Sequence, residues 1–176
     1  MENKATRLTP GVWSAGMGLF LILSLLAFPP MCRAEGDHKP YGLTLGLFVK
    51  HVETSSKTNE EIGLIAFSYN NYIGARFTNS YDDGCLFAGR KFDSQKLPVS
   101  GREDLFLRAH LYAGIIHGYD DIPNLSGFVP ALLPTWSLGK SFGQNHEVGL
   151  EFMYVPTPAG GVFATFLNIY TNFGIK

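Results

Sequence analysis

The stretch Leu105–His117, LFLRAHLYAGIIH, decides the fold. Leu105, Leu107, Ala109, Leu111, Ala113 and Ile115 form one apolar row. Between them stand Arg108, His110, Tyr112, Gly114 and Ile116. A period of two is the mark of a strand, because successive side chains leave opposite faces. One face is apolar throughout. The other is polar in its first half and apolar in its second.

Working outward, seven further segments read as strands: Tyr41–Val52, Ile62–Asn70, Asn71–Asn79, Cys85–Phe92, Phe128–Leu138, His146–Val155 and Val162–Phe173. Turn signals such as Asn70-Asn71 and Asp82-Asp83-Gly84 separate them. Apolar rows recur at Leu43, Leu45, Leu47 and Val49, at Val148, Leu150, Phe152 and Tyr154, and at Phe163, Leu167, Ile169 and Phe173. Thr165 and Thr171 interrupt the last row, and Ile62–Asn70 and Phe128–Leu138 look apolar on both faces; an even number of such strands predicts an all-β fold. The expected architecture is an eight-stranded antiparallel up-and-down transmembrane β-barrel.

Residues 1–34 read as an export signal. Lys4 and Arg7 precede the apolar run Gly16–Phe28, and Cys32-Arg33-Ala34 suits cleavage after Ala34. The run is too short to cross a bilayer as a helix. The barrel domain is then 35–176. The signal holds three of the 14 basic and one of the 15 acidic residues. The rest is mildly acidic, which argues against a nucleic-acid partner. Only Cys85 remains, so no internal disulfide staples the domain.

The inner faces divide the lumen. With the N-terminus on the lower side, Arg108, His110, Lys91, Glu147, Glu151 and Asn168 lie low. Phe87, Gly89, Tyr112, Gly114, Met153 and Phe166 lie high. Arg76, Arg108 and Lys91 are expected to meet Glu147 and Glu151, because buried charges need partners. The upper half reads either as packed core or as an apolar well for one acyl chain. Pro130 and Pro134 inside one strand and Pro156 at the end of the next add a second feature. Proline donates nothing to a ladder. It marks either a shorter strand or an unpaired seam between lumen and lipid.

His51 ends the first strand, and Asn79 and Ser80 end the third, so both reach the upper rim. A His beside a Ser offers general-base chemistry, and polar groups beside it can steady an oxyanion. A rim His and a turn Ser are more often simply solvated loop residues. No metal-ligand spacing and no phosphate-binding glycine loop occurs, so no metal or cofactor is expected.

Four short motifs, in order over about residues 43–173, resemble the PagP-type lipid A palmitoyltransferases of Gram-negative outer membranes. They are His51 closing a strand, Phe77-Thr78-Asn79-Ser80-Tyr81 followed by Leu86-Phe87-Ala88-Gly89, Val129-Pro130-Ala131-Leu132-Leu133-Pro134, and Tyr154-Val155-Pro156. The resemblance implies an outer-membrane acyltransferase, working as a monomer within membrane lipid. It would move an acyl chain, usually palmitate, from a glycerophospholipid donor to a lipid A acceptor. His51, Asn79 and Ser80 would be its catalytic residues. Phe87, Gly89, Tyr112, Gly114, Met153 and Phe166 would line its acyl well, and Pro130, Pro134 and Pro156 would flank its lateral gate. The chain departs from the family in carrying Asn79 where the family has Asp. An Asn orients an imidazole without stabilising imidazolium, a change that costs about 10⁴ in a serine protease. The family's inner glycine aligns near Lys91, and its N-terminal amphipathic helix has no counterpart. Two other readings fit the pattern: a non-catalytic outer-membrane barrel that binds lipid or acts as an adhesin, and a soluble lipocalin-like carrier.

Overall fold

A computed structural model describes residues 41–52, 60, 61, 63–119, 125–157 and 160–173. The expected export signal, residues 1–34, lies outside the described residues. Those described form strands and no helix: β1 (Tyr41–Val52), β2 (Ile65–Tyr69), β3 (Tyr72–Thr78), β4 (Gly84–Asp93), β5 (Leu97–Val99), β6 (Arg102–His117), β7 (Phe128–Phe142), β8 (His146–Thr157) and β9 (Gly160–Thr171).

Eight of these strands close on themselves. The order is β4-β3-β2-β1-β9-β8-β7-β6, and β4 pairs with β6 to complete the ring. Every pairing is antiparallel. The short β5 lies outside the ring order and pairs only with the start of β6. Nothing in the amino-acid pattern marks it, since three residues containing Pro98 carry no period. The strand containing Pro130 and Pro134 is longer than expected, reaching Phe142. The second and third strands are shorter, at Ile65–Tyr69 and Tyr72–Thr78. Asn70 and Asn71 join them with positive φ at both residues, which two-residue hairpins require.

The end where β1 begins is taken as the lower one. Outside, large apolar side chains stay exposed, among them Phe67, Leu86, Leu107, Ile115, Leu132 and Leu150. Aromatic side chains mark both ends of this band: Tyr69, Tyr72 and Phe142 below, and Tyr81, Phe128 and Tyr154 above. Val49 departs from the expected outer row and is buried in the core with Ala164 and Phe166.

The lower lumen is filled by a hydrogen-bonded ion cluster. Arg108 Nη1 donates to Glu147 at 3.1 Å, and Lys96 Nζ lies 2.8 Å from the same carboxylate. Lys91 Nζ lies 3.3 Å from Asp93 and donates to the Tyr170 hydroxyl at 2.6 Å. Glu151 accepts from Tyr112 at 3.0 Å, and also from Thr135 and Asn168. Asn168 in turn accepts from Thr44 at 2.6 Å. Three acids therefore face three bases. The expected partner Arg76 is not among them. Its strand turns Ile73, Ala75 and Phe77 inward, so Arg76 falls on the outer face and is exposed.

Removing one member of a buried pair strands the other charge, at about 3–5 kcal/mol. Glu147→Ala is therefore expected to lower the unfolding free energy by about that amount. Arg76→Ala, on the exposed face, is expected to stay within about 0.5 kcal/mol of the parent. Urea titration of the detergent-refolded protein measures both.

Candidate functional site at the upper rim

An irregularity in β1 sets the direction of His51. The β1–β9 register pairs Gly46 with Phe166 and then Phe48 with Thr165, leaving Leu47 as an extra residue. This is a β-bulge, and bulges re-aim side chains. Without it, Val49 and His51 would share the outer face with Leu43 and Leu45. With it, Leu47 and Phe48 both point outward, and Val49 and His51 pair with the inward Ala164 and Val162.

His51 Nε2 then lies 2.7 Å from Ser80 Oγ. The two residues are half-buried and come from β1 and from the turn that follows β3. The other ring nitrogen, Nδ1, is buried and meets no partner among the described residues. Among the described residues nothing therefore fixes which nitrogen carries the proton.

Asn79 does not touch His51 among the described contacts. It is 4 % exposed, and its side chain serves its own turn. Oδ1 accepts from the backbone N–H of Tyr81 at 2.8 Å and of Asp83 at 2.9 Å. Nδ2 donates to the Asp83 carboxylate at 3.4 Å. The turn that carries Ser80 is thus organised by Asn79. An Asp here would keep both oxygen contacts and face the Asp83 carboxylate instead of donating to it.

The sequence reading missed Glu60. Lys50 Nζ donates to its two carboxylate oxygens at 2.8 and 3.2 Å. That hydrogen bond holds the carboxyl below its ordinary range, helped by the backbone N–H of the adjacent His51. A negative charge therefore stands near the imidazole from a different loop than the one carrying Asn79. The signal for it was weak: an acidic pair, Glu60-Glu61, shortly after Lys50-His51.

Below His51 the lumen holds an apolar cavity of about 100 Å³. Phe87, Met153, Phe166, Ile116 and Leu133 form its walls, and Tyr112, Thr135 and Glu151 its polar floor. Four of the six expected well residues, Phe87, Tyr112, Met153 and Phe166, line it. Gly89 and Gly114 do not. They pair with each other beneath the Phe87 ring, and a Cβ on Gly114 would come within 2.8 Å of that ring.

The prolines border a gap in the ladder. The β7–β8 pairing runs upward only to Thr135↔Met153. Above it, β7 keeps pairing with β6 as far as Phe128, and β8 with β9 as far as Thr157. Pro130 and Pro134 stand on one side of this seam and Pro156 on the other. The ladder is interrupted where missing donors cost nothing.

Two tests follow from this geometry. In a Cys32→Ser/Cys85→Ser background, His51→Cys with Ser80→Cys is expected to form a disulfide on mild oxidation. Deleting Leu47 should abolish it by turning position 51 outward; gel mobility with and without reductant reads both. For Glu60, the folded carboxyl titrates below 4.5, so its pairing with Lys50 is complete above the unfolded value and lost as pH falls through the lowered one. Carboxyl ¹³C shifts of labelled protein should show this midpoint, and Lys50→Ala should raise it toward 4.5.

No protein-family model matches the chain, and no curated protein matches it.

Proposed function

We propose that the protein is an outer-membrane acyltransferase that moves a palmitate-like chain from a glycerophospholipid to lipid A. The observation that carries this reading is the His51–Ser80 pair, 2.7 Å apart, above an apolar cavity and near an open seam in the barrel wall. The outer apolar band with aromatic ends suits a bilayer. It also disfavours a soluble carrier, which needs a polar exterior. The ordered motifs described above point the same way.

In this reading a phospholipid tail slides between β7 and β8 and lies among Phe87, Met153 and Phe166. Its ester group then stands at the rim. His51 takes the proton from the attacking hydroxyl of lipid A as the new ester bond forms. It returns that proton to the departing glycerol oxygen, so the ring ends as it began. The Ser80 hydroxyl holds the imidazole in register or hydrogen-bonds the carbonyl oxygen. Asn79 acts through the turn that positions Ser80. Glu60 supplies the negative charge that favours a transient imidazolium.

A second reading is a lipid-binding barrel without turnover. It is favoured by the side chain of Asn79, which is spent on its own turn, and by His51 Nδ1 meeting no carboxylate among the described residues. Refolded protein in detergent, given phospholipid with a labelled acyl chain and lipid A, separates the two. Transfer of label to lipid A is expected. His51→Ala and Ser80→Ala should each lower the rate by about 10²–10⁴ while folding is kept. Bound phospholipid with no labelled lipid A would establish the second reading instead.

A further inference from the structure

The lower lumen contains a second imidazole, and it is better organised than the first. His110 is 1 % exposed. Its Nδ1 lies 2.7 Å from Asp93 Oδ1, and its Nε2 lies 2.7 Å from Ser137 Oγ. These residues come from the inner faces of β4, β6 and β7. Asp93 and His110 are direct cross-strand partners. Ser137 is offset by one inward position, because His110 itself pairs with Thr135.

The donor inventory fixes the tautomer. An ionised carboxylate only accepts, so His110 Nδ1 must carry the proton it gives to Asp93. In the neutral ring Nε2 is then a lone pair, and the Ser137 hydroxyl donates to it. The alternative acceptor for that hydroxyl, the Arg108 carbonyl, is 3.5 Å away. Acid, imidazole and hydroxyl thus stand in the order and at the spacing of a nucleophilic triad. Such triads are recognised by geometry rather than by sequence position.

A positive group completes the arrangement. Arg108 pairs directly with Ser137 across the β6–β7 ladder, so both side chains share the inner face. Arg108 is 7 % exposed, and its Nε is buried with no partner among the described residues. An unpartnered guanidinium N–H beside a nucleophile suits a developing oxyanion. Ser137 is 5 % exposed, and the cluster's more open edge is at the lower end, where Asp93 is 11 % and Lys96 20 % exposed. From above, the Tyr112–Thr135–Glu151 layer closes the apolar cavity off. The two sites therefore face opposite ends of the barrel, and this one stands independently of the rim chemistry.

We propose that Ser137 is an activated nucleophile for small carboxylic or phosphonic esters, with His110 as its base and Asp93 as the group that orients the ring. With an ester, Ser137 Oγ bonds to the carbonyl carbon and its proton passes to His110 Nε2. The carbon–oxygen bond to the alcohol then breaks, and the alcohol leaves with that proton. Water, deprotonated by the same nitrogen, releases the acid and restores Ser137.

The test is a fluorophosphonate probe on the folded full-length protein, in which Oγ bonds to phosphorus and fluoride departs. Mass spectrometry of peptides is expected to place one phosphonyl group on Ser137. Ser80→Ala should leave this adduct in place, which separates the outcome from any failure of the rim reading. His110→Asn and Asp93→Asn should slow labelling by at least about 100-fold, since each removes the base or its tautomer. Folding of each variant is checked by heat-dependent gel mobility. The parent protein carries the test if a variant fails to fold. Folded parent without an adduct on Ser137 would overturn the proposal, as would an adduct formed equally fast in folded His110→Asn.

Discussion

Charge in the lower lumen constrains the rest of the barrel. Lys91, Lys96 and Arg108 are enclosed with Asp93, Glu147 and Glu151, and an enclosed ion without a partner costs several kcal/mol. These six residues come from β4, the β4–β5 connection, β6 and β8. A one-residue slip in any of those strands would turn its whole inner row to the outer face. The slip would strand charges on both sides of the wall at once. The ion cluster therefore specifies register more sharply than apolar packing does, because apolar side chains tolerate either face.

Glu151 links this constraint to the upper half. It accepts from Tyr112 on β6, Thr135 on β7 and Asn168 on β9, and it also lines the floor of the apolar cavity. Thr135 is the uppermost β7 residue paired with β8. The seam thus begins where the polar network stops. Below that level, β7 and β8 are joined by ladder bonds and by the Thr135–Glu151 contact. Above it, β7 presents Pro130 and Pro134, and each strand is held from its other side. A rigid lower half is what allows an upper wall to lack a ladder while the barrel stays closed.

Much of this was legible in the sequence where the alternation is regular. Leu105–His117 displays its two faces without interruption, and the split between Arg108 and His110 below and Tyr112 and Ile116 above survives intact. The failures have local causes. Leu47 is one more apolar residue in an apolar strand, so nothing marks it as a bulge, and simple alternation puts Val49 outward with it. Charge alone pairs Arg76 with the acids, whereas Ile73, Ala75 and Phe77 define the inner row of that strand. Gly89 and Gly114 have the inward parity expected of well residues. Parity does not reveal that the Phe87 ring lies over them. The role of Asn79 was hidden for a different reason. Whether an amide serves a neighbouring imidazole or its own backbone depends on the turn, and Asp82 adopts a positive φ within it.

The two inward histidines set out what hydrogen bonding does to an imidazole. His51 and His110 each have a serine hydroxyl 2.7 Å from Nε2. They differ at the other nitrogen. Asp93 meets Nδ1 of His110, so that ring has one tautomer and one basic nitrogen. Nδ1 of His51 is buried and has no partner among the described residues, so none of these selects one tautomer. A buried polar atom left unpaired costs about 1–3 kcal/mol, so a second hydrogen bond at an imidazole is worth having. Among the described residues the rim imidazole is thus held at one nitrogen, whereas the lower one is held at both by side chains of the barrel's own strands.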